Sequence, residues 1–204
     1  MGCRRKIGSP EDWSGCMRII TGTARGMKLK TPKGIETRPT ADRIKESLFN
    51  ILGTRVYGTR VLDVFAGTGN LGLEALSRGA EHAVFIDRTT AALVKENAEH
   101  THLSDRAEIY RGDSAAILGR LARDGREFDL VFCDPPYHKG LWEKVLTMLD
   151  TMPLLSEKAL VVVEHGRDEN ELPVLLRLER VRNETYGRTT QLSFFELKNG
   201  EENI

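Results

Sequence analysis

The sequence predicts a doubly wound α/β fold, a mostly parallel sheet carrying a small N-terminal hairpin and helix. Three observations point there. From residue 60 onward, short apolar runs alternate with segments of helical periodicity. The runs are apolar at consecutive positions, as in parallel strands covered on both faces. The first run ends in a glycine-rich turn, residues 66–72 (AGTGNLG), at the place where such sheets bind ligands.

The elements follow in order. Residues 1–16 (MGCRRKIGSPEDWSGC) show no periodicity and lack the apolar core of roughly 7–15 residues that a signal peptide carries. Lys6 stands where a myristoylation motif wants Ser or Thr. This stretch is expected to be a disordered extension, or residues outside the natural start, and Met17 to open the folded part. Arg18–Thr21 and Lys28–Lys30, around Gly22 and Gly26, suit a small basic hairpin. Thr40 is the expected N-cap of a helix with Asp42 in its first turn; Ile44, Leu48, Ile51 and Leu52 share one face, and Gly53 stops it. Strands are predicted at Arg60–Phe65, His82–Asp87, Ala107–Arg111, Phe128–Cys133 and Ala159–Glu164. Between them lie helices at Asn70–Arg78, Thr89–His102, Ser114–Arg123 and Leu141–Asp150. Glu179–Glu184 and Gln191–Leu197 make a closing pair of strands around Tyr186-Gly187. The chain thus divides into an extension (1–16), a basic hairpin and helix (17–53) and a catalytic sheet domain (54–204).

Composition narrows the class. A chain of 204 residues suits one domain with an appendage, and 40% hydrophobic with 29% charged residues is globular composition. No apolar run is long enough to span a membrane. Three scattered cysteines with no CxxC pair indicate neither a zinc site nor a disulfide framework and fit a reducing cytoplasm. His100 and His102, two apart on a helix, point away from each other, so no metal set is expected. The net charge of zero hides a split: residues 1–60 hold 13 Lys/Arg against 5 Asp/Glu, a net of +8, balanced by −8 in the rest. A polyanion could land on the first part, although a solvated basic surface has the same composition.

Four successive strand ends carry an acid: Asp63, Asp87, Asp113 and Asp134. Gly67, Gly69 and Gly72 have dinucleotide-loop spacing, and Asp87 follows Gly67 by 20 residues, as an acid that binds ribose would. An NAD(P)-binding oxidoreductase is therefore one alternative. Against it, Asp63 would face a pyrophosphate unfavourably, whereas it suits a ligand bearing an ammonium group. S-adenosylmethionine has an ammonium, a ribose and an adenine, and no phosphate. Asp63 near its methionine end, Asp87 on the ribose and Asp113 near the adenine make one consistent ligand.

Asp134-Pro135-Pro136-Tyr137 points to the chemistry. Two prolines fix two backbone angles and remove two N–H donors. The Pro135 carbonyl and the Asp134 side chain remain as acceptors in a rigid turn, able to hold both hydrogens of an NH₂ group. Tyr137 offers a face for a stacked base, worth about 1–3 kcal/mol. The bland alternative is a proline-rich turn with a tyrosine capping the core. Cys133, beside the motif, reads as a buried strand residue, and His138 as either a substrate contact or a solvated loop residue.

These motifs resemble class I methyltransferases acting on planar amino groups, through D-V-F-A-G-T-G after the first strand and D-P-P-Y after the fourth. More narrowly, Met17–Gly26 (M-R-I-I-T-G-x-x-R-G), Arg38–Asn50 (R-P-T-x-D-R-x-K-E-S-L-F-N), Leu71–Ala80 and the Y-G-x-T-x-L running from Tyr186 to Leu192 resemble the RsmD family, bacterial enzymes that methylate the N2 amine of a guanine in 16S ribosomal RNA. The resemblance covers Met17 to Leu197; D-P-P-Y alone is shared with DNA adenine N6 methylases and protein glutamine methylases. It implies a seven-stranded Rossmann-like methyltransferase sheet. It also implies S-adenosylmethionine at Asp63, Phe65, Gly67, Gly69, Asp87, Asp113 and Asp134, catalysis at Asp134–Tyr137, and no metal. Many members have Phe at the position of Tyr137. The expected substrate is 16S rRNA, within the small ribosomal subunit or its precursor, and the protein is expected to be a monomer. Arg18, Arg25, Lys28, Lys30, Arg38, Arg43 and Lys45 are expected to hold RNA phosphates, making residues 17–53 RNA-facing. A non-catalytic RNA-binding module is the remaining alternative; the intact glycine loop and Asp134 argue against it.

Overall fold

The computed structural model describes residues 17–32 and 39–198. Residues 1–16 and Arg38 lie outside that range. The described chain begins with an irregular segment, residues 17–32, followed by α1 (Pro39–Leu52). Five β-strands then alternate with four helices: β1 (Arg60–Val64), α2 (Asn70–Ser77), β2 (His82–Asp87), α3 (Ala91–His100), β3 (Ala107–Arg111), α4 (Ser114–Arg123), β4 (Phe128–Cys133), α5 (Leu141–Thr151) and β5 (Leu155–Gly166). The hairpin β6 (Leu178–Tyr186) and β7 (Thr190–Leu197) closes the chain.

All seven strands form one sheet in the order β3-β2-β1-β4-β5-β7-β6. β1 to β5 run parallel, while β7 inserts antiparallel between β5 and β6. The order reverses at β1, so the ends of β1 and β4 open the crevice in which open α/β sheets take ligands.

Alternate residues of each central strand feed two cores. Val61, Leu130, Phe132, Leu160 and Val162 face α1, α2, α3 and residues 17–32. Leu62, Val64, Val131, Cys133, Val161 and Val163 face α4 and α5. This is why the strands read as unbroken apolar runs.

Two expectations need correction at the N-terminus. The hairpin reduces to a single antiparallel bridge, Arg18 with Lys28. What holds residues 17–32 is instead α2: the buried Glu74 accepts from the backbone N–H groups of Ile20 (2.7 Å) and Thr21 (3.0 Å), and the Ser77 hydroxyl accepts from Ala24 N–H (2.9 Å). Gly22 lies so close that a Cβ would sit 1.8 Å from the Ser77 carbonyl oxygen. Second, α1 starts at Pro39, so Thr40 is within the first turn rather than its cap; proline at the first helical position needs no N–H partner.

Candidate functional site

The cavity at the carboxyl ends of the strands measures about 1120 Å³. Five acids at or near the carboxyl ends of β1 to β5 line it: Asp63, Asp87, Asp113, Asp134 and Glu164. Its two ends differ in chemistry.

At the first end, Phe65 leaves β1 with φ +66, a backbone conformation costly for a bulky residue. The turn brings Gly67 (φ +58) to the cavity wall, where an added Cβ would meet almost nothing but open space. Asp87 holds this loop in place. Its Oδ2 accepts from Gly67 N–H at 3.0 Å, and its Oδ1 accepts from Thr89 and Thr90 N–H, both at 2.8 Å. Burial raises this carboxyl, but the N–H bonds of Thr90, Thr89 and Gly67 outweigh it and hold the group below the usual range. Oδ2, with one protein donor, keeps capacity for a ligand hydroxyl.

Asp63 is almost wholly buried and, among the described residues, accepts a single bond, from Gly72 N–H at 2.9 Å. Burial pushes its pKa up to about 7; the Gly72 bond opposes that shift and the charge of Asp87 adds to it. A buried carboxylate with so little compensation suits a cationic ligand. Gly72 itself serves packing, since a Cβ there would lie 2.3 Å from the Phe85 ring. Asp113 lines the cavity while capping α4, accepting from Ala116 N–H at 3.2 Å.

At the other end stands the Asp134–Tyr137 turn. Asp134 remains reachable from the cleft, yet the surrounding protein strips it of bulk water. That desolvation, then the charges of Glu164 and Asp63, push its carboxyl well above the usual range. The Tyr137 hydroxyl donates to Glu164 Oε1 at 2.7 Å and lies 3.2 Å from Thr190 Oγ1. This ring is therefore held at its far edge as well as by the proline turn. α1 and the β6–β7 turn also border the cavity through Ile44, Leu48 and Tyr186, and the Tyr186 hydroxyl is 2.6 Å from Ser47 Oγ.

The strand-end acids proposed from sequence converge as expected, together with Phe65, Gly67 and Pro135–Tyr137. Gly69, at φ +80, is the N-cap of α2 and packs under the loop, a Cβ there meeting Leu73 and Val94 at 3.1 Å. Sequence reasoning missed Glu164, Tyr186 and Thr190. Glu164 could have been found, because Ala159–Glu164 was already a strand and its last residue is a fifth acid.

The basic residues divide. Arg25, Lys28 and Arg43 are exposed. Arg18 is exposed with Asp42 at 3.9 Å, and Lys30 reaches Glu96 at 3.2 Å. Lys45 is corrected: it is 1% exposed, and its ammonium donates to the Arg18 carbonyl and to Asn70 Oδ1 (2.7 Å), with Glu74 at 3.4 Å. Its ammonium is committed to these protein partners. His138 is exposed, and its backbone N–H donates to Glu169.

An open parallel sheet with an antiparallel β7 inserted beside β5, a glycine loop flanked by acids rather than by cations, and an Asp-Pro-Pro-Tyr turn on the neighbouring strand end define a class I S-adenosylmethionine-dependent methyltransferase. The sequence profile of the family described as Conserved hypothetical protein 95 matches residues 17–196, and the chain belongs to that family. Among similar proteins is Ribosomal RNA small subunit methyltransferase D of Haemophilus influenzae, 39% identical over 168 residues, which are 81% of this chain and 86% of that protein. YlbH of Bacillus subtilis, provisionally assigned as an rRNA methyltransferase, is 44% identical over 85% of this chain and 95% of its own length. A solved Escherichia coli structure, provisionally assigned as the methyltransferase yhhF, superposes with a TM-score of 0.77 at 32% identity, covering 91% of this chain and all of that one. The resemblance drawn from the motifs is borne out.

Proposed function

We propose that this enzyme transfers a methyl group from S-adenosylmethionine to the exocyclic N2 amine of a guanine in 16S ribosomal RNA. The observation that carries the proposal is the Asp134 carboxylate: it sits in a rigid turn at the cavity wall, and no side chain or N–H among the described residues donates to it. Such an acceptor is built for a donor brought by the substrate. The names of the rRNA-methylating relatives support ribosomal RNA as that substrate.

The residues fit the cofactor. Asp63 would meet its ammonium, the Gly67 loop its methionine backbone, Asp87 Oδ2 its ribose and Asp113 its adenine. When bound, the cofactor supplies an electrophilic methyl carbon on a sulfonium sulfur. The protein's task lies with the amine, whose lone pair is delocalised into the ring. Asp134 and the Pro135 carbonyl accept its two hydrogens and favour a pyramidal nitrogen with the lone pair free for in-line attack. Positioning of this kind supplies much of the rate, and the carboxylate opposes the positive charge growing on nitrogen. The methylated nitrogen then loses one proton, and Asp134 is placed to take it. A base must leave its stack to reach this recess, and Tyr137 offers it a replacement partner.

The small ribosomal subunit or its precursor as substrate, a cytoplasmic location and a monomeric enzyme are part of the same proposal. No helix among the described residues is long and apolar enough to cross a membrane. Mass mapping of 16S RNA from cells lacking the gene tests the substrate: one guanine should lose a methyl group. Asp134→Ala should abolish transfer and leave cofactor affinity within a few-fold. Equal loss of both would remove Asp134 from the catalytic role. A melting temperature raised by NADH and not by S-adenosylhomocysteine would favour an oxidoreductase instead.

A further inference from the structure

The ladder between β4 and β5 ends with Cys133 opposite Val163. One residue further along each chain come Asp134 and Glu164, close enough for the charge of Glu164 to act on Asp134. Side chains alternate along a strand, so Glu164 lies on the face of Phe132 and Val162, and Asp134, just past the end of β4, lines the same cavity. That face is covered by α1, and it is the face on which the cavity opens. Two carboxyl groups are thus neighbours at the substrate end of the cavity.

Neither has a cation. No ion pair to Asp134 or Glu164 exists among the described residues, and the donor that reaches Glu164 is the Tyr137 hydroxyl on Oε1. Burial, and for Asp134 the neighbouring charge of Glu164, hold both groups above the ordinary carboxylate range. Asp134 opens to the cleft and Glu164 is half-buried, so both can take a donor that a ligand brings. Lys139 and Arg188 also line the cavity, but among the described residues the Tyr137 hydroxyl is the donor that reaches either carboxyl, at Glu164 Oε1.

The purine bases answer two such acceptors differently. Guanine presents N1–H beside its 2-amino group, two neighbouring donor positions. Adenine presents an amine beside N1, whose lone pair accepts. An ionised carboxylate accepts only; it would bond the first edge and repel the second.

We propose that Glu164 selects guanine, its carboxylate accepting N1–H of the target base while Asp134 and the Pro135 carbonyl accept the 2-amino group. This rests on the guanine amine being the substrate, as proposed above. Glu164 then has two duties, orienting Tyr137 through Oε1 and reading the base through Oε2. It would explain how a turn shared with adenine and glutamine methylases is restricted to one base: selection comes from the adjacent strand, outside the shared motif.

2-Aminopurine separates the two duties, because it keeps the 2-amino group but carries a lone pair at N1. The test uses the full-length enzyme with S-adenosylmethionine and small ribosomal subunits reconstituted with 16S RNA. That RNA carries guanine or 2-aminopurine at the nucleotide the wild type methylates. The wild type should prefer guanine by about 100-fold or more in kcat/KM, since a site built around a hydrogen bond rejects the analogue lacking it. Glu164→Gln is isosteric, still accepts from Tyr137 and can turn an amide N–H toward N1. It should lose rate on guanine, gain on 2-aminopurine and shrink the preference by about tenfold or more. Tyr137→Phe, which removes the tether and spares Glu164, should slow both bases alike. An unchanged ratio in Glu164→Gln overturns the proposal, and so does an equal shift of the ratio in Tyr137→Phe. A wild type that methylates no guanine amine overturns the functional reading itself.

Discussion

The Lys45 ammonium lies 3.4 Å from the Glu74 carboxylate, and both side chains are essentially out of solvent. Glu74 also pairs with Arg78 at 2.8 Å and accepts the Ile20 and Thr21 N–H groups. One acid thus joins α1, α2 and residues 17–32, and Lys45 extends the link to Asn70 in the glycine loop. Removing the lysine leaves Glu74 with Arg78 and its two backbone donors, but strips the Arg18 carbonyl and Asn70 Oδ1 of a charged donor. Lys45→Met should lower the unfolding free energy by about 2 kcal/mol, read by urea denaturation. The salt dependence of RNA binding should not change; a shallower slope would return Lys45 to the RNA surface.

Asp63 predicts a pH dependence. Its pKa is raised to about 7 from 3.8, so between those values the folded state holds a proton that the unfolded state has released. Stability is therefore lost as pH rises from 4 to 7, by about 4 kcal/mol at most from this group. Asp63→Asn should remove that decline, measured by denaturation across the range. In the wild type, S-adenosylmethionine should bind more tightly as pH rises toward 7. Below that pH it should release close to one proton, seen by calorimetry in buffers of different ionisation enthalpy. Cofactor affinity flat from pH 5.5 to 7.5 would mean that Asp63 does not meet the ammonium.

Asp87 has two functions, and two variants separate them. Asp87→Ala should weaken cofactor binding by about 2 kcal/mol, roughly 30-fold, and also lower stability, because three backbone N–H groups lose their acceptor. Asp87→Asn keeps one acceptor oxygen and should cost less on both counts. The depressed pKa makes Asp87's contribution to stability present above the ordinary carboxylate range and lost as pH falls through the folded value. Calorimetry showing unaltered affinity in Asp87→Ala would exclude it from the ribose site.

The exposed cations of the N-terminal region predict a salt effect. Neutralising Arg25, Lys28 and Arg43 together should weaken RNA binding and flatten its log–log salt slope by roughly 0.7–0.9 per lost contact. Cofactor affinity should hold, since none of the three lines the cavity. An unaltered slope would shift RNA recognition to Lys139 and Arg188, which do line it.

Much of the site was legible because its chemistry sits at strand ends, and strand ends are read from where apolar runs stop. Asp63, Asp87, Asp113 and Asp134 were named on that basis, and the cavity gathers them. The closing pair of strands followed from two strand patterns around Tyr186-Gly187, and β6 and β7 pair there, antiparallel. Lys45 illustrates the opposite case. In a run of basic residues it looks like its neighbours, and helical spacing alone does not reveal that its face of α1 meets Glu74 on α2.

The sequence by itself determined the sheet, the glycine loop and the Asp134–Tyr137 turn, because these depend on local periodicity, fixed backbone angles and short spacing. Only the tertiary structure decided which charges are buried and which carboxylates are neighbours. Asp134 and Glu164 are separated along the chain by all of α5 and most of β5, and the parallel pairing of β4 with β5 brings them to one cavity. Glu74 lies more than 50 residues from the Ile20 and Thr21 amides it holds. Burial and long-range register arise from packing between elements, and packing depends on residues far apart in the chain, so neither can be read from any one segment.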